Sequence, residues 1–460
     1  MMTLLSADLA SYDASALMEF VTRGLVSSLD VVTAHFDRID EVNARVNALV
    51  TLDRERALAR ARQADLDLAR GRSWGPLHGL PITVKDSLDT AAVRTTCGLS
   101  RRANYTPGED AAVVSRLLDA GAILLGKTNC ATLCCDFQTD SELFGRTNNP
   151  HDAARTAGGS SGGEAAAVAL GMSPLGIGTD TGGSVRVPAS FSGVFGYKSS
   201  LHAIPREGTF PLRSGDGAIR DTLTVIGALA RSVRDLALFH RVVAVNPPPS
   251  ASTGDRQLSV ACARLADLPY IDDEVARIYV GYLDSLRHRG VKVLEASLPF
   301  EINAMERLFE MLSMYEFVPR ESGKFPYDAF WAWVRAQSWL TGRRHYGYRK
   351  LKGRQEHAIA RFEEFLRSYA CLILPTTPVV AFPHQRRGRP ITVTRNGKLV
   401  RCRYLSACAA FTGLLNVLGS PSLSIPAGHT PAGLPVAIQM VGRHGQDADI
   451  LHTAAALCGS

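Results

Sequence analysis

Two serines and one lysine are the residues best placed to do chemistry. Ser160 lies in Gly158-Gly159-Ser160-Ser161-Gly162-Gly163, and Ser184 in Asp180-Thr181-Gly182-Gly183-Ser184. Both glycine-rich turns lead into stretches with helical character. Consecutive glycines let backbone N–H groups converge on one point, as an oxyanion hole requires. A helix N-terminus adds potential that favours negative charge. A serine beside such donors is a candidate nucleophile once a base is within reach. Lys85 ends the apolar run Leu80–Val84. Burial there disfavours the ammonium form and would leave a neutral amine able to accept a proton. Taken on its position alone, a solvated surface lysine is the plainer reading. The three together suggest acyl transfer.

Two generic patterns compete for the same residues. Gly121-Ala-Ile-Leu-Leu-Gly126-Lys127-Thr128 fits the spacing of a phosphate-binding loop. Such a loop follows a strand and wraps a phosphate with polar, glycine-rich backbone. Here a helix precedes it and the variable residues form an apolar strand that belongs in a core. Gly158-Gly159-Ser160-Ser161-Gly162 fits the G-x-S-x-G elbow. The elbow must follow a strand directly, and Asn149–Ala157 is polar and turn-like instead.

The elements that must hold these residues alternate. Residues 14–70 read as helices, with apolar steps of three and four at Val32, Phe36, Ile39, Val42, Val46 and Leu49. Leu80–Val84, Ala122–Leu125 and Pro174–Gly178 read as short strands. Asp110–Ala120, Gly163–Gly171 and Ser184–Ser192 read as helices. Leu258–Val260, Asp273–Arg289 and Val291–Leu294 form a β-α-β pattern, and 301–369 is largely helical. Arg389–Arg403 reads as a hairpin turning at Asn396-Gly397. It is followed by a helix at Tyr404–Leu418, strands at Ser422–Ile425 and Pro435–Val441, and a helix at Ala448–Leu457. This alternation predicts an α/β fold: a large mixed, mainly parallel twisted sheet with helices on both faces. Val245–Asp255 is the clearest linker.

Composition sets outer limits. The chain has 460 residues, 46% hydrophobic and 21% charged, which excludes global disorder and coiled coil. A net charge of +7 is mild for this length. The densest basic stretch, Arg343, Arg344, Arg349, Lys350, Lys352 and Arg354, reads as a solvated helix face, so no nucleic-acid partner is expected. The nine cysteines contain no C-x-x-C pair, and no disulfide framework or zinc site is indicated. Cys130, Cys134 and Cys135 read as small apolar packers. Met1–Asp13 lacks the pattern of a signal peptide, and no apolar run reaches 18 residues. A cytoplasmic protein without a membrane partner is expected.

The ordered blocks around the serines resemble the amidase signature family of Ser–cisSer–Lys hydrolases. The resemblance rests on the Gly158–Gly163 block, Gly178-Thr-Asp-Thr-Gly-Gly-Ser-Val-Arg-Val-Pro188 and Gly193-Val-Phe-Gly-Tyr-Lys198. It extends to Leu77-His-Gly-Leu-Pro-Ile-Thr-Val-Lys-Asp86, Gly126-Lys-Thr-Asn129, Gly145-Arg-Thr-Asn-Asn-Pro150 and Gly433-Leu-Pro435 with Gln439. It spans nearly the whole chain. It implies Ser184 as nucleophile, Ser160 as a proton bridge after a cis Gly159–Ser160 bond, and Lys85 as base. It further implies oxyanion-hole amides at Thr181, Gly182, Gly183 and Ser184, with Ser161, Asp180 and Arg186 supporting the loops. Ala91-Ala92, Ala370 and Ala437 depart from the family pattern without removing a catalytic group.

The resemblance implies one amidase domain over 1–460: an N-terminal helical segment over 1–70, a catalytic core over 71–245, a cap-like insertion over 246–370 and closing elements over 371–460. The expected partner is a small-molecule amide, a homodimer is compatible, and neither cofactor nor metal is needed. In the aromatic-rich segment 309–348 (Phe309, Tyr315, Phe317, Tyr327, Phe330, Trp331 and Trp333) and at Phe137 before it, Phe137, Phe330 and Trp331 are candidate walls of an acyl pocket, although packing of a helical cap is the plainer reading for most of these aromatics. Two readings share this chemistry. One is a free amidase, to which the segments Asp136–Asp140 and Thr377–His384 look closer. The other is the glutamine-hydrolysing A subunit of a tRNA-dependent amidotransferase.

Overall fold

The computed structural model describes residues 9–210, 221–245, 259–316 and 344–459. Phe330 and Trp331, and the linker beyond Val245, lie outside these. Fifteen strands occur among the described residues. They are β1 (Leu49–Leu52), β2 (Pro81–Lys85), β3 (Ile123–Thr128), β4 (Asp140–Ser141), β5 (Gly145–Arg146), β6 (Leu175–Asp180), β7 (Phe195–Lys198) and β8 (Val225–Ala230). The second half adds β9 (Ser259–Ala263), β10 (Lys292–Ala296), β11 (Leu372–Pro375), β12 (Ile391–Arg395), β13 (Lys398–Cys402), β14 (Ser422–His429) and β15 (Pro435–Val441).

Eleven of them form one sheet in the order β1-β3-β2-β6-β8-β7-β14-β15-β11-β9-β10. The large mixed sheet read from the alternation is present. Parallel pairing occurs in two runs, β3-β2-β6 and β11-β9-β10. The strands between them pair antiparallel, as does the edge strand β1. Connection length explains some of this: β14 and β15 are joined by only a short turn, too short for a parallel crossover.

Side-chain alternation shows that both faces are covered. On β3, Ile123 and Leu125 join a cluster with Val32, Phe36 and Ile39 of the helix Ser28–Val46, and with Ala166 of the helix Gly162–Ala169. Ala122 and Leu124 point the other way, into the main core with Val113 and Leu117 of the helix Ala112–Asp119. A period of two between two apolar layers requires helices on both sides. Each fully buried Leu or Ile contributes roughly 1.5–3 kcal/mol.

Two elements differ from the sequence reading. Residues 14–70 are not all helical, because β1 pairs with β3 after the helix Ser28–Val46 ends at left-handed Asn47. The single helix expected at Tyr404–Leu418 is split into Tyr404–Ala409 and Gly413–Val417. The break frees the Thr412 hydroxyl and carbonyl to bond Gly182 and Arg186. The hairpin β12–β13 turns at Asn396 and Gly397 as read, both at positive φ as a two-residue hairpin turn requires. On the helix Arg344–Leu366, Arg349, Lys350 and Arg354 are exposed, a solvated face, whereas Lys352 departs from that reading: it is partly buried and donates to Thr222 Oγ1 at 3.1 Å. No helix among the described residues is long and apolar enough to cross a membrane.

Candidate active site

Parallel pairing of β2 with β6 brings the ends of these strands together. Lys85, the last residue of β2, is completely buried. Its Nζ lies 2.7 Å from Ser160 Oγ and 2.9 Å from Thr179 Oγ1 of β6. Thr179 did not emerge from the sequence, where it is one small polar residue inside a strand.

Ser160 sits in a loop packed from both sides. The Gly159–Ser160 bond is cis, as the resemblance implied. Gly159 is required by close approach: a Cβ there would lie 2.7 Å from the Asp136 carbonyl oxygen and 2.8 Å from the Gln138 nitrogen. Thr139 clamps the loop by donating its hydroxyl to the Gly158 carbonyl (2.9 Å) and accepting from the Gly162 N–H (2.8 Å). Ser161 links the two serine turns. Its N–H donates to the Ser184 carbonyl at 3.1 Å, and its hydroxyl reaches the Thr179 carbonyl at 3.5 Å.

Ser184 is 8% exposed, whereas Lys85 and Ser160 are 0%, so it is the member of the set open to a ligand. Its turn is built on Asp180. One carboxylate oxygen accepts the Gly183 N–H at 2.8 Å, and the other accepts the Val185 N–H at 3.1 Å. The Gly183 amide is therefore engaged. The amides of Thr181, Gly182 and Ser184 have no such acceptor among the described residues. Gly183 has φ +128, and a Cβ there would meet Thr412 Oγ1 at 2.4 Å, so only glycine fits.

Arg186 pairs with Asp180 at 2.9 Å, both fully buried. The guanidinium also donates to Gln439 Oε1 (3.1 Å), the Thr412 carbonyl (3.0 Å) and Asn416 Oδ1 (2.6 Å). Asn416 in turn donates to Asp180 Oδ1 at 3.0 Å. Burial alone would raise the Asp180 carboxyl, but the charge and hydrogen bonds of Arg186, then Lys198 and Asn416, hold it well below the usual carboxylate range. Asn416 and Thr412 carry no motif, which is why sequence reading passed over them.

A second buried group lies behind the lysine. Glu164 accepts hydroxyls from Thr83 (2.6 Å) and Thr128 (2.8 Å). Burial pushes its carboxyl up to about 8, against those hydrogen bonds and the charges of Lys85 and Lys127. Lys127 is buried and donates to Thr90 and Thr95, and burial brings it down to about 8. This excludes the phosphate-loop reading, since the lysine is consumed inside the fold.

Of the aromatic candidates, Phe137 is partly buried, with its backbone against Gly159 and its ring edge-on to Tyr404 at 6.4 Å. Phe309, from the helix Ile302–Glu316, lies against Gly182 and Gly413. Phe137 packs against the cluster that holds Val379, Ala381 and Phe382, so the segments Asp136–Asp140 and Thr377–His384 come together, and Tyr404 donates to Asp136 at 2.5 Å. Among the described residues, those grouped closely enough to hold a metal are Cys97, Cys130 and Cys134.

A buried amine bonded to the Ser160 hydroxyl, in a loop whose next residue bonds the Ser184 carbonyl beside unengaged amides, supplies groups of the kind acyl transfer needs. A family model described as Amidase matches residues 30–451. The chain belongs to the amidase family. The Glutamyl-tRNA(Gln) amidotransferase A subunit of Moorella thermoacetica is 33% identical, covering 96% of this chain and 95% of its own. The corresponding A subunit of Carboxydothermus hydrogenoformans is 31% identical with the same coverage. Among solved structures, an amidase is similar with TM-score 0.82 and 30% identity, covering 97% of this chain and 99% of its own. The 6-aminohexanoate cyclic dimer hydrolase follows with TM-score 0.79 and 28% identity, covering 98% and 97%. As an amidase, this protein falls in the amide-hydrolase class.

Proposed function

We propose that this amidase cleaves a small carboxamide to a carboxylate plus ammonia or an amine, through an acyl-enzyme on Ser184. Ser184 Oγ attacks the carbonyl carbon as its proton passes to Ser160, whose own proton passes to Lys85. The oxyanion is met by the amides of Thr181, Gly182 and Ser184. Gly183, expected to contribute as well, directs its N–H to Asp180 and shapes the turn instead. Collapse breaks the C–N bond, and the same relay returns a proton to the leaving nitrogen. Water then attacks the ester, loses its proton to the relay and frees Ser184. No metal or organic cofactor enters these steps. A reducing cytoplasm suits nine unpaired cysteines.

The observation that carries this reading is the 2.7 Å contact of Lys85 Nζ with Ser160 Oγ, in a loop bonded to Ser184. Ser184→Ala is expected to lower turnover by roughly four to six orders of magnitude with the fold intact. Mass analysis should find an acyl adduct on Ser184 in the wild type only. Near-wild-type turnover in the variant would sink the assignment.

Phe137 and Phe309 favour an amide with an apolar acyl group. A panel of aliphatic, aryl and amino-acid amides tests this, and preference for the smallest amides would count against it. The curated relatives support a second reading, the A subunit of an amidotransferase. Hydrolysis of simple amides by the isolated chain favours the free amidase. Glutamine hydrolysis only in the presence of partner chains favours the amidotransferase.

A further inference from the structure

Sequence spacing separates Cys97 from Cys130 and Cys134, and the fold removes that separation. Cys97 follows β2, with its N–H donating to the Asp86 carbonyl at 2.7 Å and its carbonyl accepting from the Leu133 N–H at 3.0 Å. Cys130 stands two residues after the end of β3. Cys134 closes the next turn through its N–H to the Ala131 carbonyl at 2.8 Å. The three sulfur atoms lie within 4.8 Å of one another, and those of Cys97 and Cys134 are 3.7 Å apart. Cys97 and Cys130 are fully buried, and Cys134 is of intermediate burial.

We propose that Cys97, Cys130 and Cys134 form a binding site for one soft, thiophilic metal ion of the Zn2+ or Cu+ kind. The spacing fits the coordination geometry. Thiolates about 2.3 Å from zinc stand about 3.8 Å apart at the corners of a tetrahedron. A set of three sulfurs without oxygen donors selects soft ions over Mg2+ or Ca2+. A disulfide would use two of the three sulfurs and leave the third unpaired, whereas a metal ion uses all three. Binding replaces three S–H bonds with three metal–sulfur bonds and releases the protons to solvent. The Ala131 N–H, between two of the ligands, donates to the Ser160 carbonyl at 3.2 Å. An ion here would therefore adjoin the serine loop, although its binding does not depend on the catalytic reading.

The test is titration of the reduced, metal-free full chain with Cd2+, followed by the thiolate-to-cadmium charge-transfer absorption and by metal counting. One ion per chain is expected, with about three protons released. Cys134→Ser and Cys97→Ser should each weaken binding at least tenfold, and Cys135→Ser should leave it unchanged. X-ray absorption of the wild-type complex, which requires no variant to fold, should count three sulfur neighbours. Failure to reach one ion per chain, two or fewer sulfur neighbours, or unchanged affinity in Cys134→Ser and Cys97→Ser would overturn the site.

Discussion

Every residue of β2, β3, β6 and β8 is buried, yet these strands and the turns after them hold Lys85, Lys127, Asp180 and, against them, Glu164 and Arg186. At the far edge of the same sheet, β10 exposes Lys292, Leu294 and Glu295. The two regions handle charge in opposite ways. Inside, Arg186 is satisfied by Asp180, Gln439, Thr412 and Asn416. Outside, an ion pair such as Arg367–Glu364 has side chains 67% and 68% exposed. Water neutralises charge at the rim, whereas the interior must supply each partner from the chain. A buried pair broken on one side costs far more than an exposed one.

Removing Arg186 gives the largest contrast. Arg186→Met should destabilise the protein by about 3–5 kcal/mol at neutral pH, since it strands Asp180. The Asp180 carboxyl is held below its ordinary value in the fold. Its contribution is thus present above pH 3.8 and lost as pH falls through the depressed value. Denaturant unfolding should show the gap between wild type and variant narrowing in acid, and a constant gap would contradict the pairing.

Gly183→Ala comes next. A Cβ against Thr412 at φ +128 should cost about 1–3 kcal/mol and lower kcat roughly a hundredfold by displacing the turn proposed to meet the oxyanion. Unaltered kcat would show that the turn is not under this constraint.

Glu164 tests the inner region through pH. Its carboxyl is raised from 4.5 to about 8, so the folded state binds a proton that the unfolded state has lost. Its contribution is full below pH 4.5 and declines as pH rises toward about 8. Glu164→Gln should remove that decline from a series of melting temperatures taken across the interval. The smallest effect belongs to the rim. Arg367→Ala should change stability by no more than about 0.5 kcal/mol, and a larger loss would erase the contrast between the regions.

Much of the inner region was legible because its constraints are local. Glycines between 158 and 183, a lysine ending an apolar strand and serines before helices are short-range signals, and they pointed to residues whose loops the fold brings to one place. Asn416, Thr412 and Thr139 were illegible because their roles arise from long-range hydrogen bonds. The split at Ala410–Thr412 was hidden because apolar periodicity runs through it, while the hydrogen bonds to Gly182 and Arg186 interrupt the helix. The strand β1 was absorbed into a helical stretch because four residues, Leu-Val-Thr-Leu, are too few to establish a period of two. The three-cysteine cluster escaped for the same reason as the asparagine, since Cys97 reaches it through tertiary contact.

The place of β14 and β15 in the sheet has a consequence for synthesis. These strands are made late, yet they stand between β7 and β11 and carry Gln439, which holds Arg186. A nascent chain emerging from the ribosome can pair β2, β3 and β6 early, but Arg186 then waits some 250 residues for its last partner. The Arg186 network is therefore completed late in folding, and a polypeptide interrupted before β15 would have Ser160, Ser184 and Lys85 in hand without the Gln439 contact that helps fix the Asp180 turn.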